Sequence, residues 1–305
     1  MNEQLAQSRK LYGVVCANVT PMTRTGELDE ASLRNLVRYL ADCGMHGIYP
    51  NGTTGEGMLL SAEERDAQAQ WVVEENAKRM VVYVQCGSMS TQQTIARIRA
   101  AKRIGADGAG VMTPVFFTMD NVALMNYYDE VLPAEPDYPI YAYNITKNAK
   151  SDLVPSVFGP LMDRHENFMG MKYTGDDVTR FLEYMCCSQR SPQMLIGNDQ
   201  LFLTALHAGA VGTVSGGGYV YPKLMLGIYE SFCRGEYERA RELSFHTLAL
   251  KKLTAGVPTI PSIKAMLKMK GVIACDACRR PVRALTSEEY RKLEKALAYY
   301  QKAFE

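Results

Sequence analysis

Short runs of apolar, often β-branched residues alternate along the chain with longer stretches whose apolar positions recur at helical spacing. This is the pattern of βα units wrapped around a parallel sheet. It predicts strands near 13–18, 47–50, 81–85, 108–112, 140–144, 168–172, 194–197 and 212–215. Helices near 29–43, 61–77, 90–104, 119–132, 153–163, 178–188 and 199–208 fill the intervals. Ser61-x-x-Glu64 and Ser90-x-x-Gln93 read as capping-box openings, and Cys43-Gly44 and Ile104-Gly105 as helix exits on glycine. Eight strands each followed by a helix predict an α/β fold, a (β/α)8 TIM barrel. An open dinucleotide-binding sheet would carry GxGxxG after an early strand, and none is present. Beyond the eighth strand only helices follow, near 221–234, 236–255, 261–270 and 287–304, the last opened by Thr286-x-x-Glu289. The expected organisation is a barrel over 1–220 and a helical region over 221–305 packed on it, since no proline- or glycine-rich linker separates them.

Composition narrows the partners. With 34 Lys and Arg against 33 Asp and Glu in 305 residues, no basic face is built for nucleic acid or acidic lipid. No signal segment or spanning apolar stretch is recognisable, so a cytoplasmic protein acting on small molecules is expected. The eight cysteines are scattered among the elements and read as reduced packing thiols. Cys275-Asp276-Ala277-Cys278 is a lone CxxC without a second pair, and the four histidines never occur at i, i+3 or i+4. No metal site is implied.

In a barrel of this kind the reactive groups sit at the C-terminal strand ends. The strand Phe168-Met169-Gly170-Met171-Lys172 ends on a lysine and runs into a polar Thr-Gly-Asp loop. Desolvation at such a place penalises an ammonium and favours the neutral amine, which can attack a ketone. Imine chemistry on a carbonyl substrate is therefore expected at Lys172. Strand alternation sends Tyr141 and Tyr143 to one side, and Tyr143, at the end of the neighbouring strand, is placed to pass a proton at an imine carbon. Gly52-Thr53-Thr54-Gly55-Glu56 sets two hydroxyls between two glycines. It reads either as a seat for a carboxylate or as a tight turn whose threonines satisfy the backbone. Gly216-Gly217-Gly218 lacks a phosphate-loop lysine and is read as room for a substrate.

Together these residues resemble the pyruvate-dependent class I aldolases, the family of dihydrodipicolinate synthase and N-acetylneuraminate lyase. The resemblance runs from Gly13-Val14-Val15 and Thr20-Pro21-Met22 through Asn51-Gly52-Thr53-Thr54-Gly55-Glu56, Thr113-Pro114, Tyr143-Asn144-Ile145 and Gly170-Met171-Lys172-Tyr173-Thr174. It continues through Gly197-Asn198-Asp199 and Ala208-Gly209-Ala210 to Ile263-Lys264-Ala265 and Cys278-Arg279-Arg280-Pro281.

The resemblance implies that Lys172 forms a Schiff base with pyruvate or another 2-oxo acid and that Tyr143 shuttles protons. It makes Thr53 and Thr54 the carboxylate clamp. It further implies a homotetramer that needs no cofactor, because the protonated imine is itself the electron sink. Two departures disfavour a dihydrodipicolinate synthase. Asn148 stands where those enzymes carry an arginine, and Phe116 replaces a tyrosine that relays protons. Lys172-Tyr173-Thr174 and Gly197-x-Asp199 followed by Gln200 resemble the neuraminate lyases, with Gln200 in place of a glutamate and Gly216 in place of a serine.

The reading that results is a lyase cleaving a 2-oxo-3-deoxy sugar acid or sialate-like acid, reversibly, to pyruvate and an aldehyde. Lys172, Tyr143 and Thr53 carry the chemistry. Thr54, Thr174, Asp199, Gln200, Ser215, Asn148 and Phe116 line the substrate. The alternatives are 4-hydroxy-tetrahydrodipicolinate synthase and a non-catalytic 2-oxo acid sensor.

Overall fold

The structure, a computed structural model, describes residues 9–305. Eight parallel strands close into a barrel in the order β1 to β8. In chain order the elements are β1 (Gly13–Cys16), α1 (Glu30–Asp42), β2 (Gly47–Ile48), α2 (Ala62–Asn76), β3 (Val81–Gln85), α3 (Thr91–Arg103), β4 (Gly108–Met112) and α4 (Asn121–Val131). There follow β5 (Ile140–Asn144), the single turn α5 (Thr146–Ala149), α6 (Pro155–Arg164), β6 (Phe168–Tyr173), α7 (Val178–Cys186), β7 (Gln193–Ile196), α8 (Phe202–His207) and β8 (Gly212–Ser215). Four helices end the chain: α9 (Pro222–Cys233), α10 (Tyr237–Leu253), α11 (Thr259–Met269) and α12 (Ser287–Phe304).

The caps act much as the sequence suggests. Ser61 and Thr286 form full capping boxes with Glu64 and Glu289, whereas Ser90 only accepts from the Gln93 amide. Gly44 and Gly105 take left-handed angles of +83° and +81° just past their helices. Three expectations are corrected. Strands β1 and β2 are shorter than expected, ending at Cys16 and Ile48, so Asn18 and Pro50 lie in loops. The helix expected at 199–208 is a 3₁₀ turn, Asp199–Leu201, followed by α8. Only Cys16 and Cys86 are buried packing thiols; Cys186 and Cys233 are exposed, and none of the eight cysteines is disulfide-bonded.

The chain clusters into two compact units that do not follow chain order. One comprises Val81–Val214 with the described residues up to Tyr12; the other pairs Gly13–Met80 with Ser215–Glu305. In the first unit the interior side chains of β3 to β7 are wholly buried, led by Tyr83, Tyr141 and Phe168. Strand β6 approaches β7 closely: a Cβ on Gly170 would lie 2.0 Å from the Gln193 carbonyl oxygen, so only glycine fits there.

In the second unit the C-terminal helices are fastened to the first two βα segments. The Asn35 amide donates to the Val272 carbonyl at 2.7 Å, and the Ala274 N–H donates to Ser32 Oγ at 3.0 Å. Lys270 donates to the Val220 carbonyl at 3.1 Å with its ammonium over the rings of Tyr39 and Tyr300. Among the described residues no helix is long and apolar enough to cross a membrane.

Candidate active site

In the first unit Tyr143 and Lys172 are register partners on adjacent strands. Parallel pairing with matched pleat brings their side chains to the same side of the sheet. The Lys172 Nζ lies 4.1 Å from the centroid of the Tyr143 ring. Lys172 is 5% exposed and Tyr143 2%, so the amine and the phenol share a site nearly closed to water. Tyr143 is held from behind by Met112, Ile145 and Ala149, with Val115 against them. The one-turn α5 supplies that backing by folding Ala149 under the strand end.

Beyond the lysine the strand delivers Thr174, whose Oγ1 is buried without a hydrogen-bond partner. The next strand end makes room for it. A Cβ on Gly197 would lie 2.0 Å from Thr174 Oγ1 and 3.3 Å from Lys172 Cε. Gly197 is therefore a sterically constrained position beside Lys172, which the sequence motif marked only as part of Gly-x-Asp. Asn198 caps the following turn by accepting from the Gln200 amide at 3.1 Å and donates to Asp176 at 2.5 Å. Asp199 and Gln200 are half-buried there. Asn148 and Phe116 are different: both are exposed, Phe116 to 74%, with Phe116 at φ +77° and edge-on to Phe117, which is also exposed.

In the second unit Thr53 and Thr54 are half-buried on a loop framed by residues in left-handed conformations, Asn51 at φ +66° and Glu56 at φ +57°. Gly216 leaves space beside the threonines, since a Cβ there would come within 3.1 Å of Thr54 Oγ1. Ser215 is fully buried, and its hydroxyl accepts the Gly218 N–H at 2.6 Å and the Gly217 N–H at 3.3 Å. It thereby shapes the glycine run. Sequence reasoning missed the most strongly buried charges of this unit. Glu56 and Lys264 form an ion pair of 2.5 Å with both side chains fully enclosed. The signal available was the glutamate of Gly-Thr-Thr-Gly-Glu and the lysine of Ile-Lys-Ala, two apparently ordinary charges far apart in the chain. Cys275 and Cys278 lie half-buried in the nearby loop, and burial pushes the Cys278 thiol up to about 11.

An eight-stranded parallel barrel carrying a buried lysine and tyrosine on adjacent strand ends defines a class of imine-forming aldolase scaffold. The model of the dihydrodipicolinate synthetase family matches residues 10–300, and the chain belongs to that family. It is accordingly a carbon–carbon lyase of the pyruvate-dependent class I aldolase superfamily. An uncharacterized DapA-like lyase of Halobacterium salinarum is 32% identical over 94% of this chain and 93% of its own length. The 4-hydroxy-tetrahydrodipicolinate synthase of Thermus thermophilus is 30% identical over 92% of this chain and 93% of its own. Among solved structures, dihydrodipicolinate synthase from Aquifex aeolicus superposes with a TM-score of 0.91 at 27% identity, covering 97% of this chain and all of that one.

Proposed function

We propose that the protein reversibly cleaves a 2-oxo-3-deoxy sugar acid, or a sialate-like acid, to pyruvate and an aldehyde. The observation that carries the chemistry is the enclosed Lys172 amine lying 4.1 Å over the Tyr143 ring. In this reading the neutral amine adds to the 2-oxo carbon and water leaves, giving a protonated imine. Removal of the proton from the C4 hydroxyl lets the C3–C4 bond break, and its electron pair passes into the imine to give an enamine and the aldehyde. Tyr143 moves these protons and returns one to C3; hydrolysis of the imine then frees pyruvate and restores the lysine. Thr53 and Thr54, with the backbone amides of their loop, hold the carboxylate. Thr174, Asp199 and Gln200 shape the aldehyde half, and a neutral amide at Gln200 still bonds to hydroxyls.

The choice of a sugar acid is supported by Asn148 and Phe116, which supply neither the arginine nor the proton-relaying tyrosine of a synthase. A second reading, 4-hydroxy-tetrahydrodipicolinate synthase, is favoured by the Thermus relative. We further propose a homotetramer, on family resemblance, with no metal or organic cofactor in the reaction.

Borohydride added with pyruvate is expected to leave a reduced adduct on Lys172, located by mass spectrometry, and none on K172A. A folded protein that gives no adduct sinks the imine reading. Turnover of a panel of 2-oxo sugar acids, N-acetylneuraminate and aspartate semialdehyde then separates the two substrates. Formation of the cyclic product from aspartate semialdehyde would establish the synthase, and trapping without turnover of any of them a sensor.

A further inference from the structure

We infer that the enclosed Glu56–Lys264 ion pair holds the Thr53-Thr54 loop in its anion-binding shape, which makes Lys264 a positioning residue for the substrate carboxylate. The inference rests on the reading of Thr53 and Thr54 as the carboxylate site.

The loop is strained at both ends. Asn51 and Glu56 occupy left-handed backbone conformations without being glycine. Such conformations persist only where the surroundings over-determine them. At Asn51 the surroundings are a local polar network. The Asn51 amide donates to the Arg65 carbonyl at 3.0 Å, and its oxygen accepts from Gln68. Gln68 in turn meets Thr20 at 2.8 Å, and Thr20 Oγ1 lies 2.6 Å from the Gly55 carbonyl oxygen. Gly57 has no room for a side chain, since a Cβ would lie 2.0 Å from the Asn51 carbonyl oxygen.

At Glu56 the restraint comes instead from the C-terminal segment. One carboxylate oxygen meets Lys264 Nζ on α11 at 2.5 Å, and the other accepts the Arg279 N–H at 2.6 Å. Lys264 is itself fixed by donating to the Ala277 carbonyl at 2.7 Å. The Arg279 guanidinium grips both oxygens of Glu64, at 3.2 and 2.7 Å, and donates to the Gly26 carbonyl at 2.7 Å. Glu56 thus has the Lys264 ammonium against one oxygen and an N–H donor on the other, and the two residues before Gly55 inherit the direction this sets. Apolar side chains of similar volume would stabilise the fold as well as a buried ion pair. What the pair adds here is a fixed orientation for a loop that has to meet an anion with aligned N–H and O–H groups.

The test compares the wild-type protein with K264M in borohydride trapping by pyruvate and by acetone, a methyl ketone without the carboxylate. It also follows amide hydrogen exchange across residues 51–57. Loss of positioning predicts pyruvate trapping slowed at least about tenfold, acetone trapping unchanged, and faster exchange in 51–57. Pyruvate and acetone falling in the same proportion would show general damage and overturn the inference, as would neither falling. Should K264M fail to fold, the double variant E56Q/K264M, which leaves no unpaired buried charge, is read in the same way. A wild-type protein that traps acetone as readily as pyruvate sinks the carboxylate site itself. One that traps neither sinks the imine reading, and unchanged exchange in K264M then overturns the positioning role by itself.

Discussion

At the scale of single residues the candidate chemistry depends on what lies within one side chain of Lys172. Gly197 is the tightest of these positions, and a methyl there would meet Thr174 Oγ1 and Lys172 Cε at 2.0 and 3.3 Å. G197A is expected to slow pyruvate trapping at Lys172 by about a hundredfold, because displacing a reacting group by an ångström costs that much; an unchanged trapping rate would show that the amine is not held by this contact. Tyr143 separates two roles. Its ring backs the amine, whereas its hydroxyl is the group proposed to move protons. Y143F keeps the ring and removes the hydroxyl, so trapping should persist while turnover of the natural substrate falls by about two to four orders of magnitude. Turnover within a few-fold of wild type would pass the proton role to another group. Lys172 and Tyr143 were legible in the sequence because strand ends in a barrel point one way, and their pairing needed only the register of two adjacent strands. Gly197 was not legible in the same way, since its role is a clash that exists only once Thr174 has been placed.

At the scale of elements the pattern of apolar runs found all eight strands to within a few residues, and capping chemistry located the starts of α2, α3 and α12. It missed α5, because a four-residue turn is too short for any helical period to show, and yet that turn backs Tyr143. The junction of β1 and β2 carries a pH dependence. Gly13, at φ +65°, has the His46 ring where a Cβ would be, 2.6 Å away, and the Val14 N–H donates to His46 Nδ1 at 3.1 Å. Burial lowers the His46 pKa from its ordinary 6.5, against a weaker upward pull from Glu230. The protonated ring also loses the acceptor that Val14 uses. A depressed folded-state value means that this stabilisation is fully present above about pH 6.5 and is lost as the pH falls through the folded-state value. Thermal melts should therefore show a drop in stability below about pH 6.5 that is absent from H46Q, whose amide oxygen can still accept from Val14. A drop of the same size in H46Q would assign it to a group other than His46; Glu64, which the Arg279 hydrogen bond holds below its usual range, loses its contribution only below its ordinary 4.5 and so lies outside this window.

At the scale of the whole molecule the barrel closure followed from counting βα units, but the way the chain divides did not. Residues 13–80 cluster with 215–305 because specific polar contacts join them, notably Glu56 to Lys264 and Glu64 to Arg279. Such pairings have no periodicity for a sequence pattern to reveal. The proposed tetramer belongs to this scale too. Sedimentation at micromolar concentration should give four times the mass of one chain. The exposed pair Phe116 and Phe117 is an apolar surface on which assembly can draw. F116S/F117S should then sediment at a smaller mass, while an unaltered tetramer would place the interface elsewhere.

The enclosed ion pair also bears on how the chain is made. Synthesis runs from the N-terminus, and Glu56 emerges 208 residues before Lys264 (264 minus 56). Until that lysine is available, enclosing the carboxylate would bury an unpaired charge, at a cost of several kcal/mol. The enclosed pair can therefore close only after Lys264 has been synthesised, by which time Tyr143 and Lys172 are already in the chain. Fixing of residues 51–57 by this pair thus waits, in each new molecule, for the segment that carries the last helices.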